Sequence, residues 1–218
     1  MAYDELYKDG LLKIYGPVKG TIEERMASFR SIWDGKDEES AFRELIFCLL
    51  TPQSKALTCW GAVEDLTCDD GLLSSNYNEV LGAVSNVRFK YKKAHYIIGA
   101  RELVRKDDGT NVLGMLSKLD GPIEAREWLV RNVKGLGYKE ASHFLRNIGF
   151  GEDLAILDRH ILKNLKAAGV IDEVPAHLNR TNYLRIEGLM RAYAAHTGIP
   201  MPHLDLLLWY KEAGSVFK

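Results

Sequence analysis

Apolar residues recur along this chain with a helical period. In "SAFRELIFCLL", Phe42, Leu45, Ile46, Leu49 and Leu50 fall on one stripe at i, i+3, i+4, i+7 and i+8. Ile161, Leu162 and Leu165 repeat the stripe, as do Tyr183, Ile186, Met190 and Tyr193, and finally Leu204, Leu207 and Leu208. No sustained alternation of period two is found, so no strands are predicted. The interruptions have the chemistry of helix ends: "KGT" at Gly20, "WDGKDEES" with Ser40 as an N-cap, "TPQ" at Pro52, "DDGT" at Gly109, and "DGP" before Pro122. Pro122 suits the first turn of a helix, and "PIEAREWLVRNV" after it is predicted to bury Ile123, Trp128, Leu129 and Val133. Gly149 and Gly151 end the helix that follows. The pattern predicts an all-α protein of about ten short helices without internal repeats.

A chain of 218 residues can bury a real core, as one domain or as two small lobes sharing a cleft. No apolar run approaches the roughly 18 residues of a membrane span, and the acidic, polar start is unlike a secretory signal, so a cytoplasmic protein is expected. Cys48, Cys59 and Cys68 form no CxxC pair, which argues against a disulfide framework and against a metal cluster. Cys48, within "LIFCLL", reads as core. Net charge is −1, which alone argues against a nucleic-acid partner, but distribution matters more than the sum. Between Asn86 and Lys106 stand Arg88, Lys90, Lys92, Lys93, Arg101, Arg105 and Lys106 against Glu102 alone; eight basic residues face five acids from Arg126 to Lys166. Each run alone reads as a solvated helix face. Two of them flanking one hairpin weaken that reading.

That hairpin is "KGLGYKEASHFLRNIGFGEDLAILDRH", Lys134 to His160. Gly135 and Gly137 let two helices turn tightly, and the amides opening the second helix could seat a phosphate; a plain helical hairpin would use the same glycines. Lys139 falls in the first turn of that second helix, where the dipole disfavours a cation, so its pKa is expected to be depressed. An ordinary Lys is only about 0.04% neutral at pH 7, and each unit of depression yields roughly tenfold more nucleophilic amine. On this residue alone, an exposed phosphate-binding Lys is the stronger reading. Asp158 reads either as the N-cap of the next helix or as a carboxylate that stabilises positive charge developing on a sugar ring.

"KGLGYKEA", followed nineteen residues after its Lys by "LDRHIL", resembles the helix-hairpin-helix, Gly-rich loop and Asp signature of the base-excision DNA glycosylases. "LLTPQSKA", "NVRFKYKKAHYIIGAREL" and "HLDLLLWYKEAGSVFK", without four clustered cysteines, narrow the resemblance to the compact archaeal-type 8-oxoguanine DNA glycosylase/AP lyases. The resemblance implies the helix-hairpin-helix DNA glycosylase fold over 1–218: two helical lobes around a DNA-binding cleft, a central one at about 40–125, the other formed by the N-terminus plus 126–218, with the hairpin at about 122–149. It implies a bifunctional enzyme that excises 8-oxoguanine from double-stranded DNA and nicks the abasic strand through a lysine Schiff base. It further implies a nucleoid-associated monomer with no membrane partner, no iron–sulfur cluster and no required cofactor, though Na or K can sit at the hairpin carbonyls.

Residue by residue, the resemblance makes Lys139 the nucleophile and Asp158 the ionised partner that stabilises the oxocarbenium-like transition state. Gly135 and Gly137 amides grip a backbone phosphate, and His160 touches phosphate or sugar, or is a surface His. Phe89 and Trp209 sandwich the base, unless they are core. Lys218 and its carboxylate read the lesion, unless "SVFK" is a frayed tail. Gln53 fills the space left by the flipped nucleotide, or marks an ordinary corner, and Arg88 binds DNA beside Phe89. Asp205, one helical turn before Trp209, can accept guanine N1–H and N2–H, or cap its helix after Pro202. The rivals are an endonuclease III-like enzyme for oxidised pyrimidines, a helix-hairpin-helix module that binds DNA without chemistry, and a plain helical scaffold.

Overall fold

The computed structural model describes residues 3–67, 71–107 and 109–217. Among these, twelve helices run in order: α1 (Glu5–Asp34), α2 (Glu38–Leu50), α3 (Ala56–Thr67), α4 (Gly71–Ser74), α5 (Tyr77–Ala83), α6 (Lys90–Val104), α7 (Val112–Leu116), α8 (Gly121–Asn132), α9 (Tyr138–Asn147), α10 (Arg159–Ala167), α11 (Arg180–Thr197) and α12 (Met201–Ala213). Between α6 and α7, β1 (Arg105–Lys106) pairs antiparallel with β2 (Gly109–Thr110), Arg105 opposite Thr110. No described helix is long and apolar enough to cross a membrane. The chain divides into a central unit, 32–144, and a second unit of 1–31 with 145–218. The division after Phe144 falls later than the 125/126 boundary expected from sequence, so the hairpin turn and Lys139 go with the central helices.

In the central unit α2 is the core helix. Phe42, Leu45, Ile46, Phe47, Cys48, Leu49 and Leu50 are each at most 1% exposed, so the predicted stripe widens until the helix is buried nearly all round. Its N-cap is Asp37, whose Oδ1 accepts from Ser40 N at 2.9 Å, and not Ser40 as expected. The helix begins a turn earlier because Glu38 and Glu39 suit the positive end of the dipole. Glu38 also receives Leu113 N and Gly114 N at 3.1 Å each, capping α7. On α8, Pro122 lies in the first turn as predicted, but Ile123 is 62% exposed and Trp128 only half-buried. The buried face is Ala125, Arg126 and Leu129, with Val133 beyond, and Ile123 sits about 200° round the helix from Ala125.

In the second unit α1 runs unbroken through Gly16, Pro17 and Gly20, where a helix end was expected. Burial of Leu11, Ile22, Met26 and Phe29 holds it despite the amide missing at Pro17. The segment 154–157 before α10 is buried but lies in no helix or strand, so its backbone needs partners from elsewhere. Helix α11 supplies them: Ala155 N donates to Glu187 Oε2 at 2.9 Å, Tyr183 OH donates to Ala155 O at 2.6 Å, and Leu157 N donates to Tyr183 OH at 3.3 Å. Gly149, at φ +75, ends the chain's passage out of α9; a Cβ there would stand 2.5 Å from Arg30 Cα.

Burial pushes the Cys59 thiol up to about 11, and burial pushes the Tyr193 phenol up to about 12. Each therefore stays protonated in the fold where the unfolded chain ionises. Stability declines as pH rises through the ordinary thiol value of 9.0 and goes on declining until the folded thiol also ionises. Between about pH 8 and about pH 11 the parent protein should lose stability relative to a Cys59→Ala variant in urea unfolding, as the linkage relation requires. A difference that stays constant with pH would refute the shift.

Candidate active site

The hairpin is built from α8, the turn 133–137 and α9. Gly135 adopts φ +103, closed to residues with a Cβ, and an added Cβ would lie 2.4 Å from the Tyr96 ring of α6. Leu136, 6% exposed, anchors the turn, and its amide donates to Val133 O at 3.2 Å. Helix α9 is then braced from α8. The fully buried Arg126 guanidinium lies 5.5 Å from the Tyr138 ring centroid and donates to Ser142 Oγ at 3.2 Å, while Tyr138 OH donates to Glu127 Oε2 at 2.7 Å. Lys139, between those braced positions, is the second residue of α9. Its side chain is 22% exposed, with Nζ 3.7 Å from Glu140 Oε1. The Gly137 amide, expected to bind phosphate, donates to Glu140 Oε2 at 3.3 Å. A phosphate arriving there would have to displace that carboxylate.

Elsewhere in the central unit, Gln53 and Phe89 share an uncommon backbone. Both are left-handed, at φ 56 and φ 63, and both are exposed. Phe89, 50% exposed, is not core; it precedes α6 with the Arg88 guanidinium 5.1 Å from its ring centroid. Lys93 departs from expectation. Counted from sequence as surface charge, it is 3% exposed and donates to Leu50 O, Pro52 O and Ser54 Oγ at 2.7, 2.8 and 3.0 Å. Burial holds its pKa below the usual lysine range; Cys59 and Glu140 oppose that shift, while Arg88 and Lys139 add to it.

In the second unit Asp158 is the N-cap of α10, its Oδ1 accepting from His160 N and Ile161 N at 2.8 Å each. Both cap bonds fall on Oδ1, so capping leaves Oδ2 uncommitted. His160 packs edge-on against Trp209 with centroids 5.3 Å apart, and its Nδ1 lies 3.5 Å from Glu212 Oε2. Glu212 also receives Lys163 Nζ at 3.1 Å and Asn164 Nδ2 at 3.1 Å, which holds its carboxyl below the ordinary value. Trp209 is half-buried. Asp205, the fifth residue of α12, does not cap that helix, whose N-cap is Pro200. It is 6% exposed and ion-paired with Arg146 at 3.5 Å, so a guanine edge would share it with a guanidinium. Lys218 lies outside the described residues.

The structure thus groups Lys139, Gly135, Gly137, Gln53, Arg88 and Phe89 in the central unit, and Asp158, His160, Asp205 and Trp209 in the second. Sequence reasoning missed Lys93, Arg126, Glu140, Arg146 and Glu212. Four of the basic residues counted as surface, namely Lys93, Arg101, Arg126 and Arg146, are at most 7% exposed.

A family model described as 8-oxoguanine DNA glycosylase matches residues 22–199. A protein of Fusobacterium nucleatum named 8-oxoguanine DNA glycosylase/AP lyase is 46% identical over 212 residues, covering 97% of this chain and 98% of that one. One from Korarchaeum cryptofilum with the same name is 39% identical over the whole of both chains. The solved structure of the Methanocaldococcus jannaschii 8-oxoguanine glycosylase/lyase in complex with DNA containing 8-oxoguanine matches with TM-score 0.88 at 36% identity, covering 98% of this chain and all of that one.

Proposed function

The chain belongs to the 8-oxoguanine DNA glycosylase family, and from that premise we propose that it excises 8-oxoguanine from duplex DNA and then cleaves the abasic strand by β-elimination. The observation that carries the residue assignment is Lys139 itself: partly exposed, second in α9, directly after the glycine turn, with bracing contacts on both sides.

The target nucleotide leaves the stack first, at a cost of a few kcal/mol. Gln53 and Phe89, preset in left-handed backbone on the central unit, meet the gap and the extruded base, and Trp209 offers a second aromatic face. The neutral Lys139 Nζ forms a bond to C1′ as the bond from C1′ to the base breaks, and the electron pair leaves with the base, which gains a proton. Asp158 keeps α10 capped through Oδ1 and offers the charge of its carboxylate to the cationic sugar. Ring opening gives an imine; loss of the C2′ proton then expels the 3′ phosphate. Arg88, His160 and the α9 amides bind the backbone. The carbonyls of Lys134, Gly135 and Leu136 accept no backbone bond among the described residues, so they would be the groups to hold a Na or K ion, which would supply positive charge for binding the DNA backbone. The protein works as a cytoplasmic monomer.

A cleavage panel tests this: 8-oxoguanine, thymine glycol, uracil and abasic duplexes, each with and without borohydride. The expected result is excision of 8-oxoguanine, nicking of the abasic duplex, and a covalent adduct with both. Preference for thymine glycol would move the substrate to oxidised pyrimidines, and binding without an adduct would leave a module without chemistry.

A further inference from the structure

The corner between α2 and α3 and the turn before α6 are tied together by one buried amine. All three Lys93 ammonium protons have acceptors: Leu50 O and Pro52 O on either side of Thr51, and Ser54 Oγ just past Gln53. Ser54 Oγ also accepts from Arg88 N at 3.2 Å, so a single hydroxyl ties the residue after Gln53 to the residue before Phe89. The Lys93 amide in turn donates to Phe89 O at 3.1 Å. The ammonium lies at the C-terminus of α2, the negative end of its dipole, and Leu50 O accepts from Cys59 Sγ as well, at 3.1 Å. What this assembly holds is two side chains in left-handed backbone, a conformation that residues with a Cβ keep only when their surroundings impose it.

We propose that Lys93 is a positioning residue for lesion capture, locking the Gln53 corner and the Phe89 turn into one rigid edge that meets DNA already set. The inference rests on the function proposed above and adds to it a division of labour. Extruding and holding a damaged base needs both left-handed residues; opening an abasic site, which has no base to hold, does not.

The test compares two substrates with the same protein. In single-turnover assays Lys93→Met should excise 8-oxoguanine on the order of 10- to 100-fold more slowly than the parent, the scale of a small misplacement remote from the chemistry. Compared across pH, so that loss of the Lys93 charge felt by Lys139 is allowed for, its borohydride trapping on a preformed abasic duplex should reach a plateau within about threefold of the parent's, because the nucleophile's helix is braced from α8. Ser54→Ala, which removes only the shared hydroxyl, should shift the same ratio in the same direction by a smaller factor, and it decides the matter if the Lys93 variant fails to fold. Equal loss on both substrates, or no loss on either, overturns the lock. A parent inactive on both substrates overturns the function and the lock together, whereas an active parent whose variants lose both activities alike overturns only the lock.

Discussion

Replacing Lys139 with glutamine removes excision and strand cleavage together and leaves duplex binding in place. Glutamine keeps a polar side chain of similar reach but has no lone pair able to form an imine. The fold loses little, since the side chain is 22% exposed and its ion pair with Glu140 spans 3.7 Å. Such a pair contributes about 0–1 kcal/mol. The braces on either side, Tyr138 on Glu127 and Ser142 under Arg126, do not involve Lys139, so α9 starts where it did. With the nucleophile gone, the single-turnover rate on an 8-oxoguanine duplex should fall on the order of ten-thousand-fold or more, and no adduct should form with borohydride. Gel-shift affinity should change within a few-fold, since one cation among several phosphate contacts is lost. Turnover near the parent rate would remove Lys139 from the chemistry. Loss of nicking with excision intact would make water the nucleophile and confine Lys139 to the second step.

The helical period exposed most of the fold because burial follows it. The α2 stripe, the Pro122 start of α8 and the Asp158 cap stand where the pattern puts them. What the pattern hid has identifiable causes. Pro17 and three glycines disguise α1, which tertiary burial holds together against local preference. Ser40 and Asp37 are both cap formers three residues apart, and only the acidic pair between them marks the earlier start. Ile123 is apolar but out of phase with the buried face.

The missed basic residues are more instructive, since counting charge along a chain cannot tell inside from outside. Phase can. Lys93 lies in register with Ile97, Ala100 and Val104 at i, i+4, i+7 and i+11, and all of them are buried. Arg126 lies likewise with Leu129 and Val133. A cation on an apolar stripe must find carbonyls, hydroxyls or ring faces, and each of these did. Glu212 follows a different logic, since its partners Lys163, Asn164 and His160 come from α10, which no local window contains. Glu140 answers Gly137 and Lys139 within three residues, so its role was open to a local reading. The candidate nucleophile was therefore legible as a motif, while most of the residues that hold its surroundings were legible only as a phase, or not at all.

Asp158→Asn separates the two roles the sequence left open for that residue. Asparagine is as good an N-cap as aspartate, so its side-chain oxygen keeps the bonds from His160 N and Ile161 N, now 2.8 Å each. What it loses is the charge, worth about 0.3–1 kcal/mol at a helix N-terminus, so thermal unfolding should shift by a few degrees at most. If the carboxylate steadies a cationic sugar, single-turnover excision should fall by on the order of 100- to 1000-fold, the scale for removing one group aimed at developing charge. Asp158→Ala should lose as much activity and about 1 kcal/mol of cap besides, and with it the anchor of the first turn that carries His160. The comparison is decisive because the two variants share the missing charge and differ in the cap. An asparagine variant that excises 8-oxoguanine within a few-fold of the parent, beside an alanine variant that is merely less stable, would leave Asp158 as the end of a helix and nothing more.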